Sequence, residues 1–350
     1  MSVALNKQTR PKLSLGKLPP DMMARYLFGM TGARSRKVVV EPSLGLDFGV
    51  VRLGGKGSRG RYLVVSSDPV TGVRERAGWY AVNVSANDVA TSGNRPEFMQ
   101  SIILLPQDAD ESDVKRISSD MNQTAKGLGI TIVGGHTELS PGLDRPIVVT
   151  TAFAVADSYV TAAGAREGDT LMMTKTAGVE GTAILGTDAR FNKRLERATV
   201  AAAWRYFEKL SVVDEAVSAF RTGAVHAMHD CTEGGVLGAV YEMAAASGQG
   251  LEVGGGGIPV SKETKKICSA LGVDPLKLIS SGTLMIAVER GKESLVSEAV
   301  ASVGSTLASI GRFRKGRIVL TRDGRAEVLS GPPSDEIWRL HERPEAKTRS

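Results

Sequence analysis

Aromatic residues make up only 5% of the 350-residue sequence, and cysteine occurs twice, at Cys231 and Cys268. Two cysteines give no disulfide framework, which fits a reducing compartment. No stretch stays apolar for the roughly 18 residues that a membrane helix needs. The scattered basic residues of positions 1–17 have no apolar run behind them, so a secretory leader is not expected. These absences point to a cytoplasmic chain without membrane contact. Also missing are a G-x-x-x-x-G-K-[ST] loop, a G-x-G-x-x-G after a strand, and the protein-kinase signature set. Any nucleotide site must be of another type.

What is present is an ordinary globular balance, 42% hydrophobic and 23% charged, rich enough to bury a sizeable core. The length fits two domains. The net charge is +6, but the basic residues are dispersed, so nucleic acid is not expected as a partner. An anionic metabolite or nucleotide explains the charge equally well.

Periodicity predicts an α/β chain. Helices are expected over 78–92, 111–128, 195–209, 211–221 and 234–246. Strands are expected over 38–40, 48–53, 62–66, 98–105, 147–156, 170–174, 283–288 and 317–321. One more, 130–133, should end at Gly134-Gly135. The expected division is a lead-in with a short helix (1–36), a first domain (37–162), a second domain (163–330) and a polar tail (331–350). The lead-in is expected to be loose through about residue 18. In the frayed tail only Ile337, Trp338 and Leu340 look anchored.

Several polar clusters carry chemistry. Asp47 precedes a strand and Asp68 closes one, positions suited to a hard cation or to capping a turn. Asn83, Asn87 and Asp88 interrupt a small, apolar helix although Asn and Asp are poor helix formers. They serve either metal and phosphate binding or a buried hydrogen-bond network. Gly134-Gly135 lets backbone N–H groups approach a phosphate, or makes a plain turn. His136 and Thr137 follow directly. In His226-Ala227-Met228-His229-Asp230-Cys231-Thr232-Glu233-Gly234-Gly235 the glycines open a helix whose N–H groups can receive an anion. A transition-metal site at His226, His229 and Cys231 is the alternative, though no partner cluster stands elsewhere.

The order of these clusters resembles the PurM-like superfamily of aminoimidazole ribonucleotide (AIR) synthase, thiamine-monophosphate kinase, selenophosphate synthetase and the hydrogenase-maturation protein HypE. The resemblance rests on Ser67-Asp68-Pro69, Asn83 to Asp88 with Gly93-Asn94-Arg95-Pro96, Gly134 to Glu138, and Asp230 to Gly235. It spans about residues 18–330. Gly181-Thr182-Ala183-Ile184-Leu185 and Ser281-Gly282-Thr283-Leu284 resemble HypE and HypE-like AIR synthase-related proteins. The resemblance implies an N-terminal α/β domain joining a partner's in a dimeric β-barrel, and a flanking C-terminal α/β domain. It implies ATP in the cleft and Mg²⁺ on its phosphates. Asp47, Asp68 and Asp88 would be the metal ligands. Asn83, Asn87, Gly134, Gly135, Thr137 and Gly234 would line the nucleotide site, with Asp230 and His136 as catalytic groups. Histidine suits acid–base work because imidazole titrates near neutrality.

The sequence also departs from the family. Leu46 stands where a second adjacent acid is usual, and Phe48 replaces a small residue. His136 stands where most members place an acid. The chain lacks the reactive N-terminal cysteine of selenophosphate synthetase. The stretch 343–350 lacks the terminal cysteine that HypE uses to carry a carbamoyl group. The expectation is therefore an ATP-binding enzyme that activates an oxygen acceptor, small or protein-borne, by phosphoryl transfer. A homodimer and a maturation-partner protein are also expected. The alternatives are a non-catalytic nucleotide-binding scaffold and AIR synthase itself.

Overall fold

The computed structural model describes residues 13–55, 59–73 and 75–342. Helix α1 (Pro20–Tyr26) precedes β1 (Val38–Val40), β2 (Gly49–Arg52), β3 (Tyr62–Val70), α2 (Ala77–Ala90), β4 (Phe98–Leu105), α3 (Glu111–Leu128), β5 (Thr131–Leu139) and β6 (Ile147–Ala156). These strands form a six-stranded sheet in the order β1-β2-β3-β6-β4-β5, in which only β4 and β5 run parallel.

The second half contains β7 (Thr170–Thr174), α4 (Val179–Thr187), α5 (Arg197–Trp204), α6 (Val213–Arg221), β8 (Val225–Asp230), α7 (Gly235–Ser247) and β9 (Gly250–Gly254). It continues with α8 (Lys262–Leu271), β10 (Leu284–Val288), α9 (Glu293–Ser302), β11 (Leu307–Arg314), β12 (Ile318–Arg322), β13 (Arg325–Val328) and α10 (Glu336–Glu342). Its sheet has the order β13-β12-β9-β11-β7-β10-β8. The architecture is a two-sheet α/β fold. No helix of the described residues is long and apolar enough to cross a membrane.

Local chemistry sets the boundaries. Asp110 accepts hydrogen bonds from the N–H groups of Ser112 and Asp113, and Gly129 closes α3 in the left-handed region. Such a cap contributes about 1 kcal/mol. Two strands run further than their composition predicts. β3 continues through Asp68 and Pro69 because β6 pairs with it as far as Val70↔Val148. Asp68 therefore lies within the strand rather than closing it. β5 continues through Gly134-Gly135, where the register shifts opposite Met99/Gln100. A Cβ on Gly135 would sit 2.0 Å from the Ser101 carbonyl oxygen, so the close approach of β4 requires glycine there.

Helix α2 is buried on nearly every side between the first sheet and the second half. One hydrophobic cluster crosses the junction, with Tyr80 of α2 against Phe207, and Leu210 and Val213 beyond. Residues 13–18 lie within the described part of the lead-in. They are not free there, because the Lys17 N–H donates to Glu233 Oε1 at 2.7 Å. In the tail, Ile337 and Leu340 are buried on one face of α10. Residues 1–12 and the terminal stretch 343–350 lie outside the described residues.

Candidate active site

A helix buried on all sides must give every polar side chain a partner. In α2, Ser85 Oγ lies 2.6 Å from Thr150 Oγ1. The Asn83 amide donates to the Trp79 carbonyl at 2.9 Å. Asn87 donates to the Leu210 carbonyl (2.7 Å) and accepts from the Val212 N–H (2.9 Å). Asn87 thus ties the two halves together, and its polar atoms are used in doing so.

Asp88, one residue on, faces the other way. The Ser66 hydroxyl lies 2.7 Å from both Asp88 Oδ2 and the Asp47 carbonyl oxygen. One hydroxyl proton serves only one of them. Burial, and then the charges of Asp68, Asp230 and Asp47, push the Asp88 carboxyl well above the usual carboxylate range.

The second half supplies the facing wall. β8 ends in His229-Asp230, held by pairing with Met285 and Leu284 of β10. Ligand atoms of Asp47, His229 and Asp230 lie within 4.8 Å of one another. Gly45 lets the Asp47 loop press onto α7: its φ is +74°, and a Cβ there would meet the Glu242 carbonyl oxygen at 2.4 Å. His229 Nε2 is 3.0 Å from Glu242 Oε2, and Lys17 Nζ is 3.1 Å from Glu242 Oε1. His229 Nδ1 stands 2.6 Å from Asp47 Oδ1, outside hydrogen-bond geometry.

Charge is crowded at this junction. Burial, then Asp47, raises the Asp230 carboxyl well above its ordinary value. Burial works against the His229 imidazolium, but Asp47 and Glu242 overcome it and lift the group to about 10. Burial also opposes the Glu242 carboxylate, yet His229 and Lys17 hold it down at about 2. Asp47 Oδ2 and Asp230 Oδ2 are buried without a hydrogen-bond partner. Crowded carboxylates with lone pairs left over fit a bound cation.

The other expected site residues lie elsewhere. Gly134, Gly135, His136 and Thr137 are exposed on β5, the edge strand. In the register Asp68↔Thr150↔Ser101↔Gly135, they are three strands from Asp68, about 14 Å at the usual strand spacing. His136 pairs with Glu138 at 3.0 Å on the sheet surface. The glycines are strand residues at a bulge, not a phosphate-binding turn within this chain. At the start of α7 the Gly234 N–H donates to Asp335 Oδ2 (2.7 Å), and the Gly235 and Leu237 N–H groups go to the Thr232 and Leu276 carbonyls. These donors are committed to the fold rather than open to an anion. The cluster of His226, His229 and Cys231 does not form either. His226 binds Asp169 (2.9 Å), and Cys231 is buried.

Glu242 and Lys17 had no signal in the sequence, since their sites exist only once distant segments meet. His229 was visible only as part of the wrong trio.

The two α/β halves close over a buried cluster of acidic side chains. The chain belongs to the AIR synthase related family: the family's N-terminal domain matches residues 45–156 and its C-terminal domain residues 166–322. Within it the chain is HypE-like. It is 28% identical over 271 residues to a putative hydrogenase expression/formation protein of Methanocaldococcus jannaschii, covering 75% of this chain and 78% of that protein. It is 29% identical over 282 residues to the carbamoyl dehydratase HypE of Escherichia coli, covering 78% and 81%. A crystal structure of E. coli HypE aligns with a TM-score of 0.70 at 27% identity, over 82% of this chain and 91% of that one. A HypE in complex with ATP aligns with a TM-score of 0.69 over 82% and 89%, at 22% identity, which speaks for the fold.

Proposed function

We propose that this chain is a Mg²⁺–ATP-dependent enzyme of the HypE-like branch, activating an oxygen acceptor by phosphoryl transfer. The observation that carries this reading is the buried junction of Asp47, Asp88 and Asp230, with Asp47 Oδ2 and Asp230 Oδ2 left unpartnered. Asp47, Asp68, Asp88 and Asp230 would hold magnesium, which when bound neutralises phosphate charge. Asp88 and Asp230 come from different halves, so closure of the junction assembles the site. Asn87 acts as the positioning residue by fixing α2 against Leu210 and Val212. The ATP complex of a protein with this fold supports the nucleotide.

Both cysteines are buried, and burial pushes their thiols up, Cys268 to about 12. Neither is suited to carry an acceptor, so the acceptor arrives on another molecule, small or protein-borne. A maturation-partner protein is one source. The chain is also proposed to form a homodimer. Among the described residues β5 leaves a free edge, and Phe98, Ile102 and Val155 are 40%, 44% and 41% exposed on the sheet. His136 lies on this surface, so any role near a nucleotide would depend on such an assembly.

The test is ADP release by purified protein. Magnesium-dependent release, abolished in Asp88→Asn, is expected. Leu46 favours a second reading, nucleotide binding without turnover, because it packs into the hydrophobic cluster under the loop where the family commonly has an acid. Tight ATP binding with no release, across candidate acceptors, would support that reading instead.

A further inference from the structure

We infer that Asp47, His229 and Asp230 form a binding site for a first-row divalent transition cation, with His229 Nδ1 as a nitrogen ligand. The three side chains are almost wholly buried, His229 at 2% and Asp230 at 1% exposure, and the Asp47 side chain at 7%. Nδ1 of His229, Oδ2 of Asp47 and Oδ2 of Asp230 each lack a hydrogen-bond partner. Their ligand atoms converge within 4.8 Å.

The far side of the imidazole decides the chemistry. His229 Nε2 is hydrogen-bonded to Glu242 Oε2 at 3.0 Å, and Lys17 fixes Glu242 at 3.1 Å. A carboxylate accepting from the distal ring nitrogen is the usual support of a metal-binding histidine. It holds the Nε2 proton in place, so a cation that displaces the Nδ1 proton meets a lone pair directed at Asp47 and Asp230. Magnesium takes oxygen ligands, whereas an imidazole added to carboxylates favours manganese, iron, cobalt or zinc. The competing arrangement is a histidinium simply ion-paired with Asp47, whose Oδ1 is 2.6 Å away.

The site shares Asp47 and Asp230 with the proposed Mg²⁺–ATP site. Its test therefore uses metal alone, so that failure here and failure of ATP turnover are separate results. The full-length, metal-stripped protein is titrated with Mn²⁺ near neutral pH without nucleotide, and the bound ion is examined by pulsed electron paramagnetic resonance. A histidine nitrogen coupling is expected in the unmodified protein and is expected to vanish in His229→Asn. That variant should bind Mn²⁺ about ten- to a hundredfold more weakly, and Glu242→Gln about tenfold more weakly. Mg²⁺ affinity should change by less than about threefold in His229→Asn. Bound Mn²⁺ without nitrogen coupling, equal Mn²⁺ affinity in His229→Asn, or no Mn²⁺ binding at millimolar concentration would overturn the inference. If His229→Asn does not fold, the coupling in the unmodified protein decides alone.

Discussion

The junction between the halves and the edge strand β5 carry similar-looking motifs, polar residues beside glycines at the end of an apolar run. They have opposite physical situations. At the junction, Asp47, Asp88 and Asp230 are withdrawn from water, and their charges act on one another strongly. On β5, Gly134 to Glu138 are exposed, and the His136–Glu138 pair is a solvated surface contact. A motif's composition therefore says less about chemistry than the dielectric it folds into.

The largest expected effect separates the two regions directly. Asp230→Asn should lower ATP turnover by about a hundredfold or more, the scale for removing a group that acts on developing charge in a closed site. Comparable turnover in Asp230→Asn and the unmodified protein would erase the distinction.

Glu180 is a buried acid outside the cluster, raised by burial from its ordinary 4.5 to about 7. Protonated in the fold, it contributes stability that is complete below about pH 4.5 and lost as pH rises through about 7. Glu180→Gln should therefore raise the stability at about pH 8, by at most about 3 kcal/mol, with no gain at about pH 4. Urea unfolding at the two pH values measures this. A gain that does not depend on pH would contradict it.

Next in size is Asn87→Ala, which should cost about 2 kcal/mol by leaving the Leu210 carbonyl and Val212 N–H unsatisfied. An unchanged urea midpoint would show that Asn87 does not tie the halves. The smallest effect is expected at the edge. His136→Ala should leave turnover within about threefold, because its partner is an exposed carboxylate. A loss matching that of Asp230→Asn would place β5 in the reacting centre.

Much of the fold was legible. Helix 111–128 was visible in full because its amphipathic stripe, the Asp110 cap and Gly129 all agree. Strand 98–105 stood out as an apolar run. Errors of extent came where pairing overrides composition: β6 carries β3 through Pro69, and β4 carries β5 through two glycines, while α4, α8, α9, β9 and β11 of the second half were not predicted. Asp47, Asp88 and Asp230 were legible as acids set into small or apolar surroundings, and the fold brings them to one junction. Their fourth wall was not. Lys17 and Glu242 meet across 225 positions, and no local pattern announces a contact of that range.

The most direct test of the buried junction as a magnesium–nucleotide site is calorimetric titration with a non-hydrolysable ATP analogue, with and without magnesium. Binding should require magnesium, weaken at least about tenfold in Asp230→Asn and persist in His136→Ala. Equal affinity with and without magnesium, or binding lost only in His136→Ala, would contradict the account.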